Sequence, residues 1–254
     1  MAAQAGLTLL KAREKHQAIF LWGKILGKES DYYIAYGLRD SKMEFPSKCW
    51  YYSGEDFEFS ALPGLTEEVG EHIASLGLVG AVTGNPSATI EPSAYEGAEN
   101  EAPVAFQGPK LTELERLALL VQEIDFDTAV VPKGAFALNE AQAVVPSSAF
   151  QGLESSKATH LESYVHFRPP ASVASLKAYA QSDAHFYANF LDSLGGDLPK
   201  GCWAIRQDPS GAGPVSLRSL SWPGYVAFHV PGTSKFGGLY CGHALKNNDL
   251  PFII

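Results

Sequence analysis

The amino-acid sequence predicts an α+β fold, in which antiparallel or mixed β-sheets are packed against helices. Two observations indicate the sheets: short segments alternate apolar with polar residues, and clusters of Gly and Pro separate these segments. A third observation indicates the helices, because residues 111–124 carry apolar side chains three and four positions apart. At 254 residues the chain has the length of one large domain, and we expect a single compact unit over residues 1–254.

A predicted β-hairpin lies at the centre of this organisation. In residues 201–207 alternate side chains point to opposite faces, and residues 215–220 repeat the alternation. Residues 208–214 predict the turn between the strands, because Pro lacks a backbone donor and Gly adopts positive φ. A second turn at residues 222–224 ends the hairpin.

Further strands are predicted on both sides of this hairpin, where aromatic and β-branched residues are enriched. They cover residues 18–26, 32–38, 48–53, 56–59, 128–138, 225–230 and 236–241. Pro132 interrupts one of them and predicts a sheet edge or a bulge. Trp22, Trp50 and Trp203 occupy mid-strand positions, which predicts burial in the core. For Trp222, at a strand end, core and interface are equally favoured.

Five segments have helical patterns. They cover residues 7–17, 66–76, 111–124, 153–164 and 172–194. Thr8 and Thr66 are the candidate N-caps of the first two helices. The first helix is expected to be a frayed terminal helix or a docking helix for a partner. The last is expected to break near residues 182–183 and to end at the glycines that follow it.

Residues 85–108 differ in composition from the rest of the chain. They contain four Glu and three Pro but no Lys or Arg. Such a segment buries little apolar area. We therefore expect an exposed acidic loop within the single domain. A mobile loop is favoured over one that a partner orders.

Charge and cysteine content exclude several classes of partner and compartment. The formal net charge is −9, and phosphate binding needs a basic field, so neither nucleic acid nor a membrane surface is an expected partner. The cysteines, which are Cys49, Cys202 and Cys241, are odd in number and form no C-x-x-C pair. This favours reduced thiols in the cytoplasm. No segment has the apolar length of a signal peptide or a membrane span.

No residue pattern indicates catalysis, a cofactor or a metal. Cys241 and His243 come closest to a zinc site, but they supply two of the four ligands that structural zinc needs. Residues 23–28 resemble a phosphate-binding loop only superficially, because three residues separate the glycines and Glu follows the Lys. We predict no catalytic, cofactor-binding or metal-binding residues, although a site assembled from distant residues would be visible only in three dimensions.

Several longer segments resemble one protein family. LPKGCW (198–203), LRSLSWPGY (217–225) and KNNDLPFII (246–254) are similar to segments of the radial spoke head protein 9 family of motile cilia and flagella. Near the start of the chain, FLWGKILG (20–27) and DYYIAYGL (31–38) match the same family in the same order. The shorter PKGA (132–135) and SYVHFR (163–168) also fit, so the resemblance covers both ends and much of the middle.

The resemblance implies a structural component of the radial spoke head in the axoneme. Members of this family assemble with related head proteins 4 and 6 and with protein 1, and the assembled head contacts the central pair apparatus. Spokes carry mechanical signals that regulate dynein-driven bending, so the implied role involves protein–protein interaction without an enzymatic step. A cytosolic enzyme or ligand-binding protein with a non-local site is the alternative of a different class.

The candidate interface residues are Trp222, Pro223, Tyr225, Leu250 and Phe252. Trp and Tyr are enriched at the energetic centres of interfaces. The last two candidates belong to an apolar segment, residues 249–254, which we expect to pack as a strand or to fill a groove. Trimming residues 250–254 should then lower stability or abolish assembly.

Overall fold

A computed structural model of the chain describes residues 2–39, 45, 47–76, 78, 80–90, 111–141, 143–180, 190–208, 211 and 213–253. They form an α+β fold, as the sequence predicts. The helices are α1 (Ala2–Glu14), α2 (Glu67–Ser75), α3 (Glu113–Thr128), α4 (Ser155–Ala158), α5 (Val173–Tyr179) and α6 (Leu250–Ile253). The strands are β1 (Ala18–Ile25), β2 (Tyr32–Leu38), β3 (Cys49–Ser53), β4 (Ser60–Ala61), β5 (Thr89–Ile90), β6 (Leu111–Thr112), β7 (Val130–Pro132), β8 (Phe136–Leu138), β9 (Val144–Pro146), β10 (Tyr164–His166), β11 (Trp203–Gln207), β12 (Val215–Ser219), β13 (Tyr225–His229) and β14 (Phe236–Gly242).

One mixed sheet organises the fold. Its eight strands follow the order β11-β12-β13-β14-β1-β2-β3-β4, so the late strands form one half of the sheet and the early strands form the other. Neighbouring strands are antiparallel except for β14 and β1, which run parallel over residues 240–242 and 23–25. A Cβ atom at Gly23 would collide with the backbone of Tyr240, so glycine permits the close approach that joins the two halves.

Helix α3 covers the inner face of this sheet. It begins with a capping box, in which Thr112 accepts from the backbone of Glu115 and the Glu115 carboxylate accepts in return. Leu117, Val121 and Ile124 lie at helical spacing and are fully buried. The same core contains Trp22, Tyr32, Ile34, Tyr36, Leu217, Trp222 and Tyr240.

Helix α1 covers part of the outer face. Leu7 and Leu10 are buried in one cluster with Ala35 of β2 and Tyr51 of β3. His16, which follows the helix, lies with Nε2 2.6 Å from the Tyr51 hydroxyl. We call the outer face of β1–β3, with α1 on it, the covered half.

Among the described residues, three two-stranded sheets lie around the large one and pair β10 with β7, β5 with β6, and β8 with β9. A second core lies among them and contains Val131, Leu138, Val165, Phe167 and Phe190. The first residues of the predicted acidic loop at 85–108 are described, and within them Thr89–Ile90 forms β5, which pairs with Leu111–Thr112. Residues 91–108 lie outside the described residues.

The predicted elements with the strongest local sequence patterns are confirmed. The central hairpin pairs β11 with β12 in antiparallel register, and Val215, Leu217 and Ser219 are buried while Arg218 is exposed. The helix capped by Thr66 runs as predicted, and α3 extends four residues beyond its predicted end.

Several predicted elements are wrong. Residues 56–59 do not form a strand: a turn closes where the Phe57 N–H donates to the Gly54 carbonyl, and Phe57 has φ +56°. Thr8 does not cap α1, because it lies within the helix and its hydroxyl donates to the Gln4 carbonyl. Residues 128–138 are not one strand: after the end of α3 they divide into β7 and β8, which belong to different sheets, with Gly134 at φ +86° between them.

The two predicted helices in the second half of the chain are also largely wrong. In place of a helix over residues 153–164, the chain forms the four-residue α4, a short 3₁₀ helix at Leu161–Ser163 and the start of β10. Helix α5 ends at Tyr179, and residues 190–193 are not helical. The break predicted at residues 182–183 lies outside the described residues.

Candidate interaction surfaces

The turn at residues 222–224 closes onto the end of β14. Gly224 has φ +112°, a conformation that favours glycine, and a Cβ atom there would collide with the Cys241 carbonyl oxygen. The glycine of the WPGY segment is therefore explained by backbone geometry. The turn brings Trp222 beneath the surface and leaves Pro223 exposed.

Trp222 ties three parts of the chain together. Its side chain is fully buried, and its indole Nε1 donates to Asp127 Oδ2 of α3 over 2.8 Å. Lys246 lies 3.0 Å from the same oxygen and 5.3 Å from the centre of the indole ring. Helix α3, the turn and the C-terminal segment are thus held by one cluster of contacts.

The five candidate interface residues differ in accessibility. Tyr225 is buried and packs edge-on against Trp203, with ring centres 6.1 Å apart. Leu250 is buried in the main core, whereas Phe252, two residues later in α6, is 88% exposed. Trp222, Tyr225 and Leu250 can therefore support an interface from below, and Pro223 and Phe252 can contact a partner directly.

The other tryptophans follow their predicted placement in part. Trp22 and Trp203 are buried, as expected for mid-strand positions. Trp50 is only partly buried and meets Trp22 edge-on, with ring centres 5.9 Å apart.

A polar cavity lies beside the Trp222 cluster. Its volume of about 180 Å³ is below the usual range of ligand pockets, which begins near about 300 Å³. His166 Nε2 lies 2.9 Å from both oxygens of Asp197, and Trp203 Nε1 donates to Asp197 Oδ2 over 2.7 Å. Cys202 also lines the cavity, and burial raises the pKa of its thiol, which disfavours the nucleophilic thiolate. Several polar groups of this cavity therefore bind one another: His166 and Trp203 contact Asp197, and Trp222 and Lys246 contact Asp127.

Two buried carboxylates with perturbed pKa values serve the architecture. Burial alone would raise the pKa of Glu113, but hydrogen bonds from Thr83, Tyr32 and Gly84 outweigh burial and lower it. The pKa of Asp192 is lowered in the same way by donors that include Ala171 and Arg168. Glu113 joins the loop at residues 83–84 to α3, and Asp192 joins its own irregular segment to residues 168–172.

The described part of the chain contains no group of three or more His, Cys, Asp or Glu side chains that could hold a metal ion. Cys241 and His243 are both exposed near the end of β14. Within the same residues, no helix is long and apolar enough to cross a bilayer.

The other half of the large sheet presents an apolar outer face that the sequence analysis missed. Val226 and Phe228 of β13 are 37% and 45% exposed, and Leu239 of β14 is 48% exposed. Val226 pairs with Leu239, so the two side chains share this face. Phe228 pairs with Gly237, and its ring lies against the position that a Cβ would occupy there.

Exposed basic side chains and a thiol complete this surface. Arg218 of β12 pairs directly with Val226, and Arg206 of β11 pairs with Ser216, which in turn pairs with Phe228. Cys241 follows two residues after Leu239 and is exposed on the same face. We call the outward side chains of β11–β14 the open face, which is defined by Arg206, Arg218, Val226, Phe228, Leu239 and Cys241.

A signal for the open face is present in β13. Val226 and Phe228 are apolar, and so are Tyr225 and Ala227, which point to the core. A strand that is apolar on both sides is typical of a sheet that is covered on both faces.

Comparison with known proteins gives relatives that align with nearly the whole chain. The chain is 37% identical over 255 residues to the radial spoke head protein 9 homolog of Danio rerio, covering 100% of this chain and 91% of that protein. It is 35% identical over 252 residues to the homolog of the same name in Homo sapiens, covering 98% and 89%. The Mus musculus homolog is 34% identical over 251 residues. No family model matches the chain.

Proposed function

Because the chain belongs to the radial spoke head protein 9 family, we propose that it is a structural component of the axonemal radial spoke head. In this role it assembles with related head proteins 4 and 6 and with protein 1. The assembled head contacts the central pair apparatus and helps to transmit mechanical signals to the dynein arms, which regulates the motility of cilia and flagella. The observation that carries the proposal is similarity over nearly the whole length of both chains.

The architecture suits a rigid building block. The large sheet has eight strands, and aromatic side chains fill its inner face, among them Trp22, Tyr32, Trp222 and Tyr240. Aromatic side chains bury large areas and pack in preferred geometries, so such a core resists deformation. A compact core of this kind, which the described residues form, can hold neighbouring proteins at fixed positions.

The role we propose has no enzymatic step. In the described residues, three of the buried groups that could act as acids or bases, namely His229, Asp192 and Glu113, are engaged in structural contacts. His229 is fully buried, its Nε2 accepts from the Leu153 backbone, and Nδ1 lies 3.2 Å from the Lys235 carbonyl oxygen. Asp192 and Glu113 accept from backbone and side-chain donors, as described above.

Removal of the protein from motile cells tests this function. Axonemes of cells that lack the chain should have spokes with incomplete heads in cryo-electron tomograms, together with an altered beat. Expression of the full-length chain should restore both. Intact spoke heads and a normal beat without the chain would contradict the proposal, as would its absence from purified motile axonemes.

Sizing chromatography gives an independent readout in vitro. The full chain co-expressed with related head proteins should elute with them as one complex. A well-behaved monomer that never co-elutes with them would contradict a role in assembly.

A further inference from the structure

We infer that the open face is a docking surface for a segment of another spoke-head protein that combines apolar side chains with carboxylates. This inference rests on the proposed function and adds the location of one interface and the chemistry of its partner. The apolar side chains of the partner lie over β13 and β14, and its carboxylates lie over β11 and β12.

The apolar part of the open face lies on two adjacent strands. Val226 and Leu239 form a directly opposed pair, and Phe228 lies one residue pair further along, over Gly237. These side chains are between 37% and 48% exposed. Contiguous apolar side chains with a polar border are typical of protein interaction sites.

The basic part lies on the two strands next to it. Arg218 is on β12, directly across from Val226, and Arg206 is on the edge strand β11. Among the described residues, neither arginine forms an ion pair with a carboxylate. The open face contains no Asp or Glu, although the chain as a whole has a net charge of −9. Its local charge is therefore opposite to that of the whole chain.

This charge pattern determines the kind of partner. Arg guanidinium groups bind carboxylates through paired hydrogen bonds, so the complementary surface is acidic. Adjacent strands lie about 4.8 Å apart, which places the arginines one to two strands, or about 5–10 Å, from the apolar pairs. The partner segment therefore places its carboxylates beside its apolar residues at this spacing.

A second copy of the chain does not fit this surface. Two-fold symmetric pairing places the same surface on both sides of the contact. In the open face that arrangement would supply four arginines and no carboxylate, and like charges brought together in an interface are unfavourable. A heterologous partner avoids this repulsion.

The test uses axonemes from cells that lack the chain, to which purified full-length protein is added. The fraction retained after washing measures assembly. The wild type should be retained, and its retention should fall as salt rises because part of the attraction is electrostatic. The double variant R206E/R218E and the double variant V226S/L239S should each be retained at least about tenfold less.

Matched controls lie away from the open face. K11E changes an exposed charge on α1, and V173S changes a valine of α5 that is 67% exposed. Both should be retained like the wild type. Urea unfolding of every free variant checks the fold, and similar midpoints are expected because the altered side chains are exposed or partly exposed.

A cross-linking variant tests the partner chemistry without weakening the contact. R218K keeps the positive charge and introduces an amine, which a carbodiimide joins to a carboxylate in direct contact. Mass spectrometry of treated axonemes should find this amine joined to Asp or Glu of another spoke-head protein, next to apolar residues in that protein. The same treatment should not join Lys11 to that segment.

The outcomes separate the inference from the proposed function. Lack of wild-type retention contradicts the proposed function itself. Normal retention of both open-face double variants overturns the inference and leaves the proposed function standing. A cross-link from R218K to a second copy of this chain also overturns the inference.

Discussion

The two halves of the large sheet differ in what lies on their outer face. On the covered half, α1 buries Leu7 and Leu10 against Ala35 and Tyr51. On the open face, apolar side chains of β13 and β14 remain partly exposed. The main core lies on the inner face of both halves. The comparison teaches that the chain supplies its own helical cover for part of one half of the sheet, whereas the described residues include no such cover over the open face, which we propose another protein covers.

Truncation of one leucine on each half should give the largest difference between them. Leu10 is 2% exposed and Leu239 is 48% exposed. Leu10→Ala should lower the free energy of unfolding by about 2–5 kcal/mol, because it removes buried methyl groups and leaves a cavity. Leu239→Ala should cost less than about 1 kcal/mol in the free chain. Urea unfolding measures both, and equal losses would contradict the distinction between the halves.

The C-terminal helix offers a second pair for comparison. Leu250 is 4% exposed in the core, whereas Phe252 is 88% exposed. Leu250→Ala should lower the free energy of unfolding by about 2 kcal/mol, whereas Phe252→Ala should change it by less than about 0.5 kcal/mol. Deletion of residues 250–254 should cost at least as much as Leu250→Ala. A thermal melt of the deleted chain that overlays the wild type would show that α6 does not stabilise the fold.

A smaller expected effect is the dependence of stability on pH through His229, which lies on the inner side of β13. Burial lowers the pKa of His229 below its ordinary value of 6.5. The neutral ring accepts from Leu153 at Nε2 and lies close enough at Nδ1 to donate to the Lys235 carbonyl. Protonation would place a second N–H against the Leu153 donor. The unfolded chain therefore takes up the proton first as the pH falls.

The contribution of His229 to stability is complete above pH 6.5 and is lost as the pH falls from there to the lowered pKa of the folded state. The free energy of unfolding should thus decrease between pH 7.5 and pH 5.5, and His229→Gln should reduce that decrease. His16 of the covered half, whose pKa burial also lowers, should contribute in the same direction. An unchanged pH dependence in His229→Gln would show that this ring does not titrate on unfolding.

Local patterns predict the elements of both halves where neighbours in sequence decide the structure. The hairpin of β11 and β12 follows from alternation and from the Pro and Gly residues of its turn. Helix α3 follows from its apolar stripe and the capping box that begins it. In these segments propensity, pattern and turn residues agree, and such agreement makes local prediction reliable.

Contacts between distant residues decide what the sequence does not reveal. The parallel pairing of β1 with β14 joins segments more than 200 residues apart. The need for glycine at position 23 becomes visible only in the structure, where the Tyr240 backbone occupies the place of a Cβ atom. Contacts with distant residues replace the predicted helix over residues 153–164. At its start the Leu153 backbone N–H donates to His229, and at its end Tyr164 pairs with Pro132 in a sheet. The open face was missed for a similar reason: β13 is apolar on both sides, and the structure shows which side lacks a cover.

The accessibility of Cys241 tests the central claim most directly. This thiol is exposed on the open face, whereas Cys202 is buried. A maleimide reagent should label Cys241 rapidly in the free chain and much more slowly in assembled spoke heads, while Cys202 stays unlabelled in both. Equal labelling of Cys241 in the two states would contradict the claim that another protein covers the open face.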